Sequence, residues 1–315
     1  MRGSSTIDPL LLARRLVAQR CLYGVDKNPF AVNLAKLSLW LLTLSNDRPF
    51  TFLDHALKCG DSLVGLTSKE IGSFTGMVQL SLFKGEIHDR LREAAHYRQS
   101  IQGTDTTDDQ IMKRKYQNWE TVEGILAEPR LAGQMKVAAF FNGKKTKERE
   151  NLEKDYQTLL AQGTVAEKEA IVSGLTQGDR AVIPFNWELE FPEVFNRDNP
   201  GFDAIVGNPP FAGKNTTING HPEGYVDWIK IVHPESHGNS DLVAHFFRRA
   251  FTITRTGGSF GLIATNTIAQ GDTRSSGLRY ICNNGGVIYN ATRRYRWPGM
   301  AAVVVSVVHL WKANQ

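Results

Sequence analysis

Apolar and polar positions change rhythm several times along the chain, and each change marks an element. From Asp8 to Gln19, Leu10, Leu11, Leu12, Leu16 and Val17 gather on one side of a helical projection, which predicts a short amphipathic helix. Cys21-Leu22-Tyr23-Gly24-Val25-Asp26 reads as a short buried strand ending in an acid. In the Asn28-Pro29 pair that follows, Asn suits a helix N-cap and Pro the first helical position. The next helix, Phe30 to Leu44, is rich in Leu, Ala and Trp and is expected to pack on a sheet. A second short strand fits Ala56 to Gly60, again before an acid, Asp61. Strand, helix, strand with acids at the strand ends predicts a doubly wound parallel sheet that holds a ligand at its carboxyl edge.

From about Thr67 to Asp179 the chain is dense in Lys, Arg, Glu and Gln, with apolar residues at helical spacing. Ile87, Leu91, Ala94 and Ala95 make one stripe, and Leu152, Tyr156, Leu159 and Leu160 another. These predict an inserted helical subdomain, such as a hairpin of long helices, whose charges form a solvated face. Gln102 to Asp109 reads as a loop. The sheet pattern returns with a strand over Phe202-Asp203-Ala204-Ile205-Val206-Gly207, which runs straight into Asn208-Pro209-Pro210-Phe211. Gly213 to Gly238 reads as a long loop, Ser240 to Thr254 as a helix ended by Gly257-Gly258, and Ser259 to Thr265 as a strand. Thr273 to Asn283 reads as helix. Gly286 to Ala291 and Ala301 to Leu310 read as the last strands, the second strongly β-branched. The expected organisation is α/β: residues 1–66 and 181–315 build the two parts of one Rossmann-like core, and residues 67–180 are the helical insertion.

Composition adds little to this picture. The 315 residues are 41% apolar and 22% charged, ordinary for a globular α/β chain. No run of about 18 apolar residues predicts a membrane span. Met1 to Arg20 does not read as a secretion signal. Cys21, Cys59 and Cys282 show no CxxC spacing, so reduced thiols and a cytoplasmic location are expected rather than disulfides or zinc. His221, His233 and His237 are spaced too loosely for a metal site. Formal net charge is +5 with a pI of about 9.0. A phosphate-bearing partner is compatible with that charge but not required by it.

The tetrapeptide Asn208-Pro209-Pro210-Phe211 carries the most chemistry, because it follows a strand where an open α/β sheet binds ligands. The exocyclic amine of a nucleobase is a poor nucleophile, since its lone pair is delocalised into the ring. An enzyme must offer acceptors that favour a localised lone pair aimed at a methyl donor. The Asn208 side-chain oxygen can accept one N–H, and the Pro209 carbonyl the other. Two prolines fix the turn and bring no competing N–H. The Phe211 ring can stack on the base, which must leave the duplex to be reached. The alternative is an ordinary Asn-Pro turn; the preceding strand favours the site. Asp26 can hold the ribose hydroxyls of a nucleoside cofactor, and Asp61 can accept from an adenine amino group. For both acids a helix cap or turn role is the competing reading. Arg293-Arg294-Tyr295-Arg296-Trp297 either meets phosphate or a flipped base, or is a solvated turn. Lys214 and Trp228 fall in the loop after the tetrapeptide, facing a DNA partner on this reading.

These residues resemble the gamma-type amino methyltransferases, in particular the large single-chain adenine-specific enzymes of restriction-modification and phage-defence systems. Tyr23-Gly24-Val25-Asp26-Lys27-Asn28-Pro29-Phe30 is similar to their second motif, Gly60-Asp61-Ser62-Leu63 to their third, and Gly207-Asn208-Pro209-Pro210-Phe211 to the fourth, catalytic one. Asp241 to Phe247 and Gly257 to Ile263 resemble the helix and strand that follow. The resemblance implies a methyltransferase sheet and S-adenosylmethionine as methyl donor, with Asp26 near its ribose and Asp61 near its adenine. It implies Asn208, Pro209, Pro210 and Phe211 around a flipped base in double-stranded DNA, with direct transfer to adenine N6 and no metal. Cytosine N4 presents the same lone-pair problem and stays open.

The chain departs from the family at the first motif, a strand and glycine-rich turn under the methionine part of the cofactor. Only Gly3 is a glycine among the residues before Cys21. The expectation is a fragment that lacks the first strand, with weak cofactor affinity and with target recognition left to further domains or subunits. Two other readings follow: a non-catalytic remnant that binds DNA or a partner, and an amino methyltransferase acting on RNA or on protein glutamine.

Overall fold

The computed structural model describes residues 8–45, 48–76, 83–297 and 303–313. They form two compact units. One is built from Met1–Ser62, Leu66–Gly133 and Ile183–Asn196, the other from Leu63–Gly65, Gln134–Val182 and Arg197–Gln315. Among the described residues no helix is long and apolar enough to cross a membrane.

In the first unit, α1 (Pro9–Arg20) starts at Asp8, whose carboxylate accepts the Leu10 N–H at 3.0 Å. Strands β1 (Gly24–Asp26) and β2 (Leu57–Cys59) pair in parallel, with Asp26 opposite Cys59. Helix α2 (Pro29–Leu42) joins them as expected, with Asn28 as cap and Pro29 at its first turn. Its packing differs from the expectation. Val32, with Leu39 and Trp40, covers Leu53 and Leu57, while Phe30, Leu34, Leu37 and Leu41 stay exposed. A sheet of two short strands offers an apolar face too narrow to cover the whole helix.

The charged middle of the chain is helical: α3 (Ser68–Gly76), α4 (Phe83–Gly103), α5 (Asp109–Asn142), α6 (Thr146–Gln162) and α7 (Val165–Thr176). The stripe Ile87, Leu91, Ala94 and Ala95 is buried, and residues 104–108 form the expected loop. Helix α5 runs from the first unit into the second; α6 and α7 lie in the second. Two single-turn helices, α8 (Trp187–Glu190) and α9 (Pro192–Phe195), return to the first unit.

The second unit holds β3 (Phe202–Gly207), α10 (Lys214–Gly220), α11 (Tyr225–Val232), α12 (Leu242–Ile253), β4 (Thr254–Thr265), α13 (Gly271–Arg274), α14 (Tyr280–Asn283), β5 (Gly286–Arg296) and β6 (Val304–Lys312). The strand order is β3-β4-β6-β5. β3 and β4 are parallel, while β6 is antiparallel to both neighbours. The fold is therefore mixed α/β rather than wholly parallel. The cause lies in the last connection: β5 and β6 are joined too closely in sequence for a crossover, so they must form a hairpin. The expected loop after the tetrapeptide contains α10 and α11. Gly257 and Gly258 lie inside β4 rather than ending the helix before it. Arg293 to Arg296 extend β5 instead of forming a turn. Ala301 and Ala302, expected in the last strand, lie outside the described residues.

Helix α12 carries the core of this unit. Val243, Phe247, Ala250 and Phe251 meet Phe260, Leu262, Val308 and Leu310 of the sheet. Each such side chain contributes roughly 1.5–3 kcal/mol by leaving water, so the sheet is held firmly where the tetrapeptide leaves it.

Candidate active site

In the first unit the two acids stand at the ends of neighbouring strands. Asp26 ends β1, and Asp61 lies two residues beyond the end of β2 on the neighbouring parallel strand. The Gly60 N–H donates to the Asp26 carbonyl at 3.0 Å, which ties the two strand ends. The Asp26 side chain is exposed, and its Oδ1 accepts the Asn28 N–H at 2.7 Å. Asn28 in turn accepts the Phe30 N–H at 2.9 Å. Both the turn role and an outward-facing carboxylate are thus present in one residue. Asp61 is 4% exposed, and its N–H donates to the Ile183 carbonyl at 2.8 Å. A Cβ on Gly60 would come within 2.8 Å of Phe185 Cδ2, so glycine lets the chain pass under that ring.

A buried ionic tie, not foreseen from sequence, holds the approach to β1. The Tyr23 hydroxyl donates to Glu193 Oε1 at 3.0 Å, and Arg98 Nη2 donates to the same oxygen at 2.6 Å. Gln102 donates to the Tyr23 hydroxyl. Burial, reinforced by the Glu193 charge, raises the Tyr23 pKa. Nearby, burial alone would raise the Glu190 carboxyl, but Lys58 at 2.8 Å and Arg130 at 2.7 Å outweigh it and hold its pKa at about 2. The four residues of the Tyr23 tie are scattered along the chain, so no local motif signals it.

In the second unit the tetrapeptide leaves β3 at the carboxyl end. Asn208 is exposed and makes no hydrogen bond with any described residue, while Pro209 is buried, Pro210 exposed and Phe211 half-buried. All its peptide bonds are trans. The next residue is clamped: Ala212 N–H donates to Asp241 Oδ1 at 3.3 Å, and Leu242 N–H donates to the Ala212 carbonyl at 2.8 Å. Asp241 also caps α12 through the Val243 N–H at 3.0 Å. One carboxylate therefore fixes both the exit of the tetrapeptide and the start of the core helix. The arrangement presents an exposed side-chain amide from a braced turn at a strand end.

Two weaker candidates separate. Trp228 is buried, stacks against Phe141 at 5.7 Å and donates to the Leu63 carbonyl at 3.2 Å, so it packs the interior. Lys214 is exposed and donates to Asn239 at 3.1 Å. His233 and His245 are buried together, Nδ1 to Nδ1 at 3.1 Å. Burial and the neighbouring arginines lower the His245 pKa to about 4 and the His233 pKa to about 2.

Residues 20–288 match the family described as Eco57I restriction-modification methylase. A search of curated proteins gave no match. Among solved structures, the chain is similar to the type IIL restriction-modification enzyme MmeI in complex with DNA. That alignment has 13% identity and a TM-score of 0.35, and covers 97% of this chain and 33% of the other. The chain thus spans a third of that enzyme's length. A protein of Listeria monocytogenes assigned as a class I S-adenosylmethionine-dependent methyltransferase aligns at 11% identity and a TM-score of 0.30, covering 80% of this chain and 87% of the other. A Vibrio vulnificus protein assigned as the modification subunit of a type I restriction enzyme aligns at 12% identity and a TM-score of 0.29, covering 69% and 52%.

Proposed function

The chain belongs to the Eco57I restriction-modification methylase family, and from that premise we propose that it methylates the N6 amine of adenine in DNA. Asn208 is the observation that carries this reading: its side chain stands exposed at a strand end, unengaged by any described residue. On this reading its oxygen accepts one N–H of the flipped base and the Pro209 carbonyl accepts the other. The amine's lone pair is then drawn out of the ring at no cost in new conformational order, because Asp241 already braces the turn. Phe211, half-buried, presents a ring for the base to lie against.

S-adenosylmethionine, when bound, supplies an electrophilic methyl group. The residues of the first unit suit such a nucleoside. Asp26 is exposed with one oxygen committed to Asn28, which leaves the other for ribose hydroxyls. Asp61 is held by its backbone and serves as a fixed acceptor. Target recognition by further domains or subunits belongs to the same proposal.

The test is transfer of labelled methyl from S-adenosylmethionine to DNA by the purified chain, with digestion to nucleosides and mass spectrometry. N6-methyladenine is expected, and Asn208→Ala should reduce it by about two to three orders of magnitude, as for loss of one positioned hydrogen-bonding group. N4-methylcytosine would change the base, and methylated RNA or glutamine the substrate. Cofactor binding without any transfer, unaltered in Asn208→Ala, would leave a non-catalytic DNA-binding remnant.

A further inference from the structure

The basic segment near the end of the chain gains meaning from register. Gly207 of β3 pairs with Leu262 of β4, Leu262 with Val308 of β6, and Val308 with Ala291 of β5. One row therefore crosses the sheet from the residue before Asn208 to a point two residues before Arg293. Strands β3, β4 and β5 run in the same direction, so Asn208 and the segment Arg293–Arg296 leave the sheet at the same edge. Three interstrand steps of about 4.8 Å separate them by about 14 Å.

At this point β5 departs from regular pairing. Thr292 faces Val307 and Tyr295 faces Val305, so Arg293 and Arg294 together oppose Ser306. This is a β-bulge, a device that re-aims side chains at sheet rims. Arg294 has φ of 53°, a left-handed conformation that is strained for a non-glycine residue. Arg293, Arg294 and Arg296 are exposed, and none of their guanidinium groups makes a hydrogen bond or ion pair with a described residue. The bulge and these three guanidinium groups serve no packing role among the described residues.

We propose that Arg293, Arg294 and Arg296 hold backbone phosphates of the DNA strand beside the target base. This rests on the reading of Asn208 as the acceptor for that base. Phosphates of one strand advance about 3.4 Å each along the helix axis, so a reach of about 14 Å covers a few nucleotides. The arginines would grip the strand within that distance of the flipped nucleotide, and guanidinium groups suit phosphate oxygens by forked donation.

The experiment is fluorescence anisotropy of a labelled random-sequence duplex with the full chain, across a range of salt. The variant Arg293→Gln/Arg294→Gln/Arg296→Gln should weaken binding at least about tenfold and make the slope of log K against log salt shallower by about 2–3. A Lys144→Gln/Lys147→Gln/Lys154→Gln variant, which removes equal charge from exposed positions, should change the slope much less. Arg294→Gly separates binding from folding, since glycine relieves the left-handed strain. It should melt higher than the parent yet bind DNA more weakly. Unchanged slopes, equal losses in the lysine variant, or preferential binding of RNA of the same sequence would overturn the assignment. If the parent chain binds no DNA at any salt, the proposed function falls as well. If it binds and methylates while the arginine variants match it, only the phosphate assignment falls.

Discussion

Lys115 and Asn208 put opposite demands on a polar side chain. Asn208 is exposed and uncommitted, so its loss should harm chemistry and leave stability alone. Lys115 is 1% exposed, and its Nζ has no hydrogen-bond partner among the described residues. Burial, with Arg20 and Arg15 adding to it, lowers its pKa to about 8 against a smaller opposing pull from Asp105. A lysine with a folded pKa below the unfolded value of 10.5 binds its proton more tightly when unfolded. Its cost is therefore full below pH 8 and fades as pH rises toward 10.5. Lys115→Met should stabilise the chain by roughly 1–3 kcal/mol at pH 7. The gain should shrink toward pH 10.5, read as melting temperature by circular dichroism; a lower melting temperature would mean the ammonium has a partner. Sequence showed Asn208 and hid Lys115. Asn208 is announced by its prolines and its strand, whereas the burial of one lysine in a charged helix depends on what packs over it from elsewhere.

Elements were legible where their signals are local. Strand β3 has the predicted bounds, and the Asn28-Pro29 cap starts α2 as read. Strand β4 was misjudged at its start, because Gly257-Gly258 reads as a helix stop while the strand in fact begins at Thr254. What decides that is contact across the sheet: a Cβ on Gly258 would meet the Asp203 carbonyl at 2.9 Å, so glycine is there to let β3 and β4 approach. The same logic gives a prediction at Gly201. Its φ is 114°, and a Cβ would lie 2.7 Å from both Arg255 N and Ile253 O. Backbone cannot yield as a side-chain tip would. Gly201→Ala should therefore cost more than the ~1 kcal/mol of a helical glycine exchange. It should also loosen β3, seen as faster hydrogen exchange in Phe202–Gly207. By contrast Phe247→Ala, in the core against Phe260, should cost about 3–5 kcal/mol with the strand pairing kept. If the glycine variant leaves β3 exchange unchanged, close packing does not set this strand's register.

At the scale of the whole molecule, acid should act on two kinds of buried group, neutral histidines and a paired carboxylate, at different pH. In the second unit His233 and His245 share a hydrogen bond between their Nδ1 atoms, which requires one nitrogen to carry a proton and the other to lack it. Burial and the flanking Arg248 and Arg249 keep both rings neutral in the fold. Their folded pKa values lie below the unfolded 6.5, so the unfolded chain takes up protons first and stability falls as pH drops from about 6.5 toward 4. The first unit holds a buried histidine too, His55, whose pKa burial keeps well below 6.5, and beside it the opposite device. Glu190 is ionised between Lys58 and Arg130, with its pKa at about 2 against an ordinary 4.5. That stability is fully present above pH 4.5 and is lost only as pH falls toward 2. The family was legible in sequence because its motifs are contiguous. This division was not, because each pair joins residues that folding alone brings together. Hydrogen exchange at pH 5, corrected for intrinsic rates, should show Leu242–Ile253 losing protection through its histidine pair, with any loss in Leu57–Cys59 tracing to His55 instead. His233→Gln cannot gain a charge and should flatten the loss between pH 6.5 and 4. Simultaneous loss in both segments, unchanged by that variant, would place the acid-sensitive group outside the histidine pair.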